Sequence, residues 1–113
     1  MRWTLLLGLL LAACSKGPEA DLPSIGEARS FAAEWALVNE QQANDHVTAV
    51  YATTMRNRLR EQLRTDLDSL SQPHSSYGDE IRALVAAPDE ASPAEFRAHA
   101  RALKQIEDSL ESA

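Results

Sequence analysis

From Pro23 to the C-terminus, apolar residues recur at steps of three and four, and no segment alternates with a period of two. A helix returns to the same face every 3.6 residues and a strand every second residue. The pattern therefore asks for helices and leaves no material for a sheet. Sparse β-branched residues point the same way. A chain of 113 residues has room for one domain. The expected fold class is all-α, a small bundle of three to four helices.

The helix signals divide the chain as follows. Ser24 and Glu27 fit a capping box, so the first helix is expected to open at Pro23-Ser24. Ile25, Ala28, Phe31, Ala32, Trp35 and Val38 form its stripe, with Trp35 as a core residue. This helix should fade over 39–44. Asn44 or Asp45 is the expected cap of a second helix over 45–71. Its stripe is Val47, Val50, Tyr51, Met55, Leu59, Leu63, Leu67 and Leu70, and Pro73 stops it. Nothing between 39 and 46 breaks helices strongly, so a single helix over 24–71 is the alternative to a turn there. A third helix is expected over 79–87. Ser92-Pro93-Ala94-Glu95 then combines a cap, Pro at the first helical position and an acid three residues after the Ser. The last stripe is Phe96, His99, Ala100, Leu103, Ile106 and Leu110.

The N-terminus follows other rules. Arg2 precedes a nearly continuous apolar block from Trp3 to Leu11, which ends in Leu11-Ala12-Ala13-Cys14. The block is too short to span a bilayer, which needs about 20 residues. It has the length of a signal-peptide core. The ending resembles the lipobox of bacterial lipoproteins, with all four positions matching. The resemblance implies a lipoprotein signal peptide over 1–13, cleavage before Cys14, and diacylglyceryl and acyl modification of Cys14. It also implies localisation in the bacterial envelope, facing the periplasm. Ser15 lacks the Asp that holds enteric-type lipoproteins in the inner membrane, which implies the outer membrane. Two or three acyl chains, at about 0.8 kcal/mol per buried methylene, anchor a protein stably. Residues 14–22, polar and carrying Gly17 and Pro18, are the expected lipidated tether. The helical domain is expected over 23–113.

Charge and cysteine usage narrow the partners. The chain has 11 basic and 17 acidic side chains, a formal charge of −6. Loss of residues 1–13 removes Arg2 and leaves −7. That balance speaks against nucleic acid, whose phosphates demand a basic face. The single Cys excludes an internal disulfide and a cysteine zinc site.

Within the domain, Arg56, Arg60 and Arg64 follow each other at steps of four and share a helix face. They are the candidate site for a partner or a phosphate. The competing reading is a solvated face, with Arg64 and Asp68 as an i, i+4 pair. His46, His74 and His99 have no second ligand at helical spacing, so neither a metal nor another cofactor is expected. No Gly-x-Ser-x-Gly elbow, phosphate loop or HExxH occurs, and the acids gather near helix ends, so no catalytic residues are expected.

The expected function is that of a membrane-anchored lipoprotein with a non-catalytic helical domain that binds an envelope protein. In size, class and anchor it looks like a secretin pilotin, and entry-exclusion or immunity lipoproteins fit as loosely. The alternative is a small ligand- or metal-binding sensor of the envelope.

Overall fold

The computed structural model describes residues 17–113. The expected signal peptide and Cys14 lie outside the described residues, as does the start of the tether. A short 3-10 turn, Pro18–Asp21, leads into four helices: α1 (Leu22–Ala43), α2 (Ala49–Asp68), α3 (Ser76–Val85) and α4 (Pro93–Glu111). There is no strand among the described residues. The all-α bundle expected from periodicity is the fold observed.

Helix α1 is the central element. It packs most extensively on α4 and next on α2, while α3 closes the bundle against α2 and α4. Small residues make the close approach to α4 feasible: Ala28, Ala32 and Ala36 are buried. A Cβ on Gly26 would lie 2.8 Å from Glu107 Oε2 of α4. The interior is filled by Ile25, Trp35, Leu59, Leu63, Ile81, Leu84, Phe96 and Leu103. Each such side chain contributes roughly 1.5–3 kcal/mol by leaving water. Trp35 and Phe96 stack at 4.6 Å between ring centres, with 21° between planes.

The last helix follows its sequence signal. The Glu95 N–H donates to Ser92 Oγ at 3.2 Å, and Pro93 occupies the first turn. The other boundaries differ from expectation. Helix α1 begins at Leu22, and Ser24 lies within it rather than capping it. The residue before it, Asp21, does not cap α1 because its carboxylate is engaged elsewhere. It accepts from the N–H groups of Ser71 (2.7 Å) and Gln72 (3.1 Å), the Ser71 hydroxyl (3.0 Å) and the Tyr77 hydroxyl (2.6 Å). Residues 17–22, expected in the tether, are thus tied to the domain at the α2–α3 connection.

A turn separates α1 from α2, which are not one continuous helix. Asp45 adopts φ 57°, in the left-handed region. The Asp45 N–H donates to the Gln42 carbonyl (3.0 Å) and the His46 N–H to the Gln41 carbonyl (2.8 Å). This pair of bonds is a Schellman termination, which satisfies the last carbonyls of α1. Thr48, whose hydroxyl accepts from the Tyr51 N–H at 3.1 Å, then caps α2. Helix α3 opens at Ser76 because Ser75 Oγ accepts from the Gly78 N–H at 3.1 Å. Only a glycine fits at 78: a Cβ there would stand 2.2 Å from the Pro73 carbonyl oxygen.

Candidate functional site

The buried face of α2 is Ala52, Arg56, Leu59, Leu63 and Asp66, at steps of four, three, four and three. It is a helical stripe with a cation and an acid built into it. The expected arginine row therefore divides. Arg64 stays in solvent, 3.7 Å from Glu61, and the Arg64–Asp68 pair is not among the ion pairs formed. Arg56 and Arg60 turn toward α1 and the α3–α4 loop.

Arg60 holds that loop. Its Nε donates to the Val85 carbonyl (3.0 Å), Nη2 to the Ala87 carbonyl (2.7 Å) and Nη1 to Asp89 Oδ1 (2.7 Å). The guanidinium also lies 4.7 Å from the centre of the Trp35 ring, within cation–π range. Helix α1 grips the same loop. Trp35 Nε1 donates to the Asp89 carbonyl at 3.1 Å. Asn39 Nδ2 donates to the carbonyls of Asp89 (3.0 Å) and Ala91 (2.8 Å).

That rigid loop forms one wall of a cavity of about 300 Å³ lined by Asn39, Gln42, Ala43, Arg56, Glu90, Ala91 and Pro93. The cavity sits between the C-terminus of α1 and the N-terminus of α4. Arg56, only 4% exposed, supplies its charge. Its Nε donates to Asn39 Oδ1 at 2.9 Å, and its Nη2 donates to Gln42 Oε1. Both acceptors are neutral amides. Among the described residues no carboxylate pairs with Arg56, whereas Arg60 has Asp89. Arg56 is thus a buried cation with no carboxylate in ion-pair contact.

A second polar cluster joins α1 to α2. Asp66 is buried beside Glu27, and no donor reaches its Oδ2. Burial pushes the Asp66 carboxyl up to about 8, helped by a hydrogen bond shared with Glu27 and by the charge of Glu27. The protonated acid is the form that can make that hydrogen bond. Asp21 behaves in the opposite sense. Burial alone would raise its carboxyl, but the donors from Ser71, Tyr77 and Gln72 outweigh it and hold it below the usual range. Tyr77 is pushed up to about 12 by burial and by donating to Asp21.

The histidines do not converge. His99 Nδ1 meets Glu80 Oε1 and His46 Nδ1 meets Gln41 Oε1. No group of three or more His, Cys, Asp or Glu side chains suited to a metal forms among the described residues. No helix among them is long and apolar enough to cross a membrane.

Periodicity singled out Arg56 and Arg60 but not the side chains that surround them. Asn39 and Asp89 lie 50 positions apart. The heptad-like spacing from Ala52 through Arg56 to Asp66 is the one local sign that Arg56 faces inward. Family models, curated proteins and solved structures give no match to this chain.

Proposed function

We propose that this chain is a bacterial lipoprotein, held at a membrane through acylated Cys14, whose helical domain binds another protein of the cell envelope without catalysis. The observation that carries the reading is the lipobox Leu11-Ala12-Ala13-Cys14 standing directly before a helical domain. Cys14 is three residues from Gly17, the first described residue. Extended chain covers about 3.5 Å per residue, so the domain stays within roughly 10 Å of its anchor point. Such confinement raises its effective concentration at membrane-bound partners, and a weak contact then suffices. The interior, filled by stacked Trp35 and Phe96, supports recognition at the surface over an amphiphile held inside the bundle. The Ser15 position supports the outer membrane as the site of anchoring.

The reading is tested in cells with wild type and Cys14→Ala. Wild type should incorporate labelled palmitate and cross-link to one dominant envelope protein. The variant should lose the label, remain unprocessed and lose that partner. Undiminished labelling of Cys14→Ala would sink the anchor, and a wild-type chain with no partner above background would sink the adaptor role.

A further inference from the structure

We propose that the Arg56 cavity is a binding site for a single carboxylate, presented by a small acid or by the C-terminus of a peptide chain. Three observations carry it. The first is the uncompensated charge: Arg56 is more than nine-tenths buried, and both its acceptors are neutral. A buried cation is tolerated when its donors are satisfied and a counter-charge is near. The one acid of the cavity lining among the described residues, Glu90, is exposed and does not pair with Arg56, which leaves the close counter-charge to a ligand. The second is the pattern of spent donors. Arg56 uses Nε and Nη2 internally and leaves Nη1 without a protein partner among the described residues. Gln42 turns its carbonyl to Arg56, which leaves its amide N–H groups unused beside the same cavity. Two donors from neighbouring side chains match the two oxygens of a carboxylate. The third is the fixed geometry. Asn39 is held by two loop carbonyls and in turn orients Arg56, so the cation is positioned before any ligand arrives.

Charge balance selects a carboxylate over a phosphate dianion. Among the described residues Arg56 is the only cation lining the cavity, and Glu90 stands at its rim. The C-terminus of α1 and the N-terminus of α4, which flank the cavity, carry partial charges of opposite sign that largely offset each other. One guanidinium beside Glu90 accommodates one negative charge, not two. A volume of about 300 Å³ lies at the small end of ligand sites and suits a group of amino-acid size. The inference stands on the cavity rather than on the anchor, and it adds a chemical class to the protein-binding reading.

The test is a titration of the full chain in detergent, followed by the Arg56 Nε–H and Trp35 Nε1–H resonances. The probes are N-acetylglycine, its amide analogue N-acetylglycinamide, and inorganic phosphate. N-acetylglycine should give a saturable shift with a Kd of about 1–10 mM, a range expected for so few atoms. The uncharged amide should bind at least about tenfold more weakly, since the charge-assisted contacts are lost. Phosphate should bind no more tightly than the carboxylate. Glu90→Gln, an exposed rim change that leaves the fold intact, should tighten N-acetylglycine about threefold by removing a like charge. Arg56→Gln should abolish binding, and Glu90→Gln keeps the test decisive if Arg56→Gln does not fold. A tetra-alanine peptide with a free C-terminus, compared with its amidated form, separates the sources. Free-acid binding more than about tenfold tighter than N-acetylglycine assigns the group to a chain terminus, and comparable binding assigns it to small acids. No saturable shift, equal binding of the amide, or tighter phosphate binding would overturn the proposal. Cys14→Ala should bind N-acetylglycine as wild type does, so failure of the anchor and failure of this site are read separately.

Discussion

The indole N–H of Trp35 donates to the carbonyl of Asp89 at 3.1 Å, joining the middle of α1 to a loop 54 residues away. Arg60 closes the arrangement by lying on the Trp35 ring and reaching three oxygens of the Val85–Asp89 stretch. Arg60→Met keeps the stem and removes the guanidinium. It should cost about 2–3 kcal/mol, the scale of hydrogen bonds made by a charged group together with a cation–π contact. Arg60→Lys should not restore the loss, because a point charge cannot replace a planar fork with three acceptors. Urea unfolding gives the first number, and faster amide exchange over residues 86–92 locates it. A loss under about 0.5 kcal/mol would show that the loop holds without Arg60.

Asp66 makes the bundle lose stability as the pH rises from acid toward about 8. Its carboxyl is raised to about 8 in the fold, against an ordinary value of 3.8. The native state therefore holds a proton that the unfolded chain releases. By linkage, stability declines as pH climbs from about 4 to about 8 and is flat above that. Asp66→Asn, which imitates the protonated acid, should flatten this slope. It should match wild type near pH 4 and exceed it by more than about 1 kcal/mol at pH 8, since one pKa unit is about 1.4 kcal/mol. Thermal melts at the two values measure the difference, and parallel profiles would refute the shared proton.

Asp21 imposes the opposite slope at acid pH. Its carboxyl is held below 3.8, so its contribution is complete above that value and disappears as pH falls through the lower native value. Tyr77→Phe removes the hydroxyl that donates to Asp21 at 2.6 Å. It should cost about 1.5–3 kcal/mol at pH 7, as for a hydrogen bond to a charged group, and less once Asp21 is protonated. Unfolding free energies from pH 7 down through the native titration of Asp21 check both parts. A penalty that stays unchanged once Asp21 has taken up its proton would mean that the carboxylate charge is not involved.

Asp45 stands in the left-handed region at the end of α1, where its Cβ and its charge both count against it. That conformation costs an L-residue about 1–2 kcal/mol, and an anion at a helix C-terminus is unfavourable. Asp45→Gly should therefore raise stability by roughly 0.5–1 kcal/mol after the extra backbone entropy of Gly. A lower melting temperature for the variant would contradict the Schellman account.

Those predictions rest on features of unequal visibility in the sequence. The start of α4 was legible because Ser92, Pro93 and Glu95 carry their information within four residues. Trp35 was legible as core because one large apolar side chain dominates so small an interior. The start of α2 was not, because Asp45 in a left-handed conformation carries no sequence mark as strong as Gly. The expected stripe placed Val50 and Tyr51 inward, yet they are 78% and 50% exposed. The buried face instead starts at Ala52, one position on from Tyr51, and takes in Arg56 and Asp66. Hydropathy assigns charged residues to solvent, so a stripe interrupted by them reads as two weaker ones. The cavity was hidden for a further reason. Asn39, Arg56 and Glu90 meet only through long-range packing, which local periodicity does not encode.

The knot of donors around Asp21 also has a mechanical meaning. Tension entering the fold through Gly17 meets this carboxylate before it reaches α1. Asp21 is fastened to Ser71, Gln72 and Tyr77, so the load passes at once into the α2–α3 connection and the base of α3. Several hydrogen bonds then resist in concert, where a helix pulled from its end would peel turn by turn. Any pull on the chain ahead of Gly17 is thereby spread over several contacts at once.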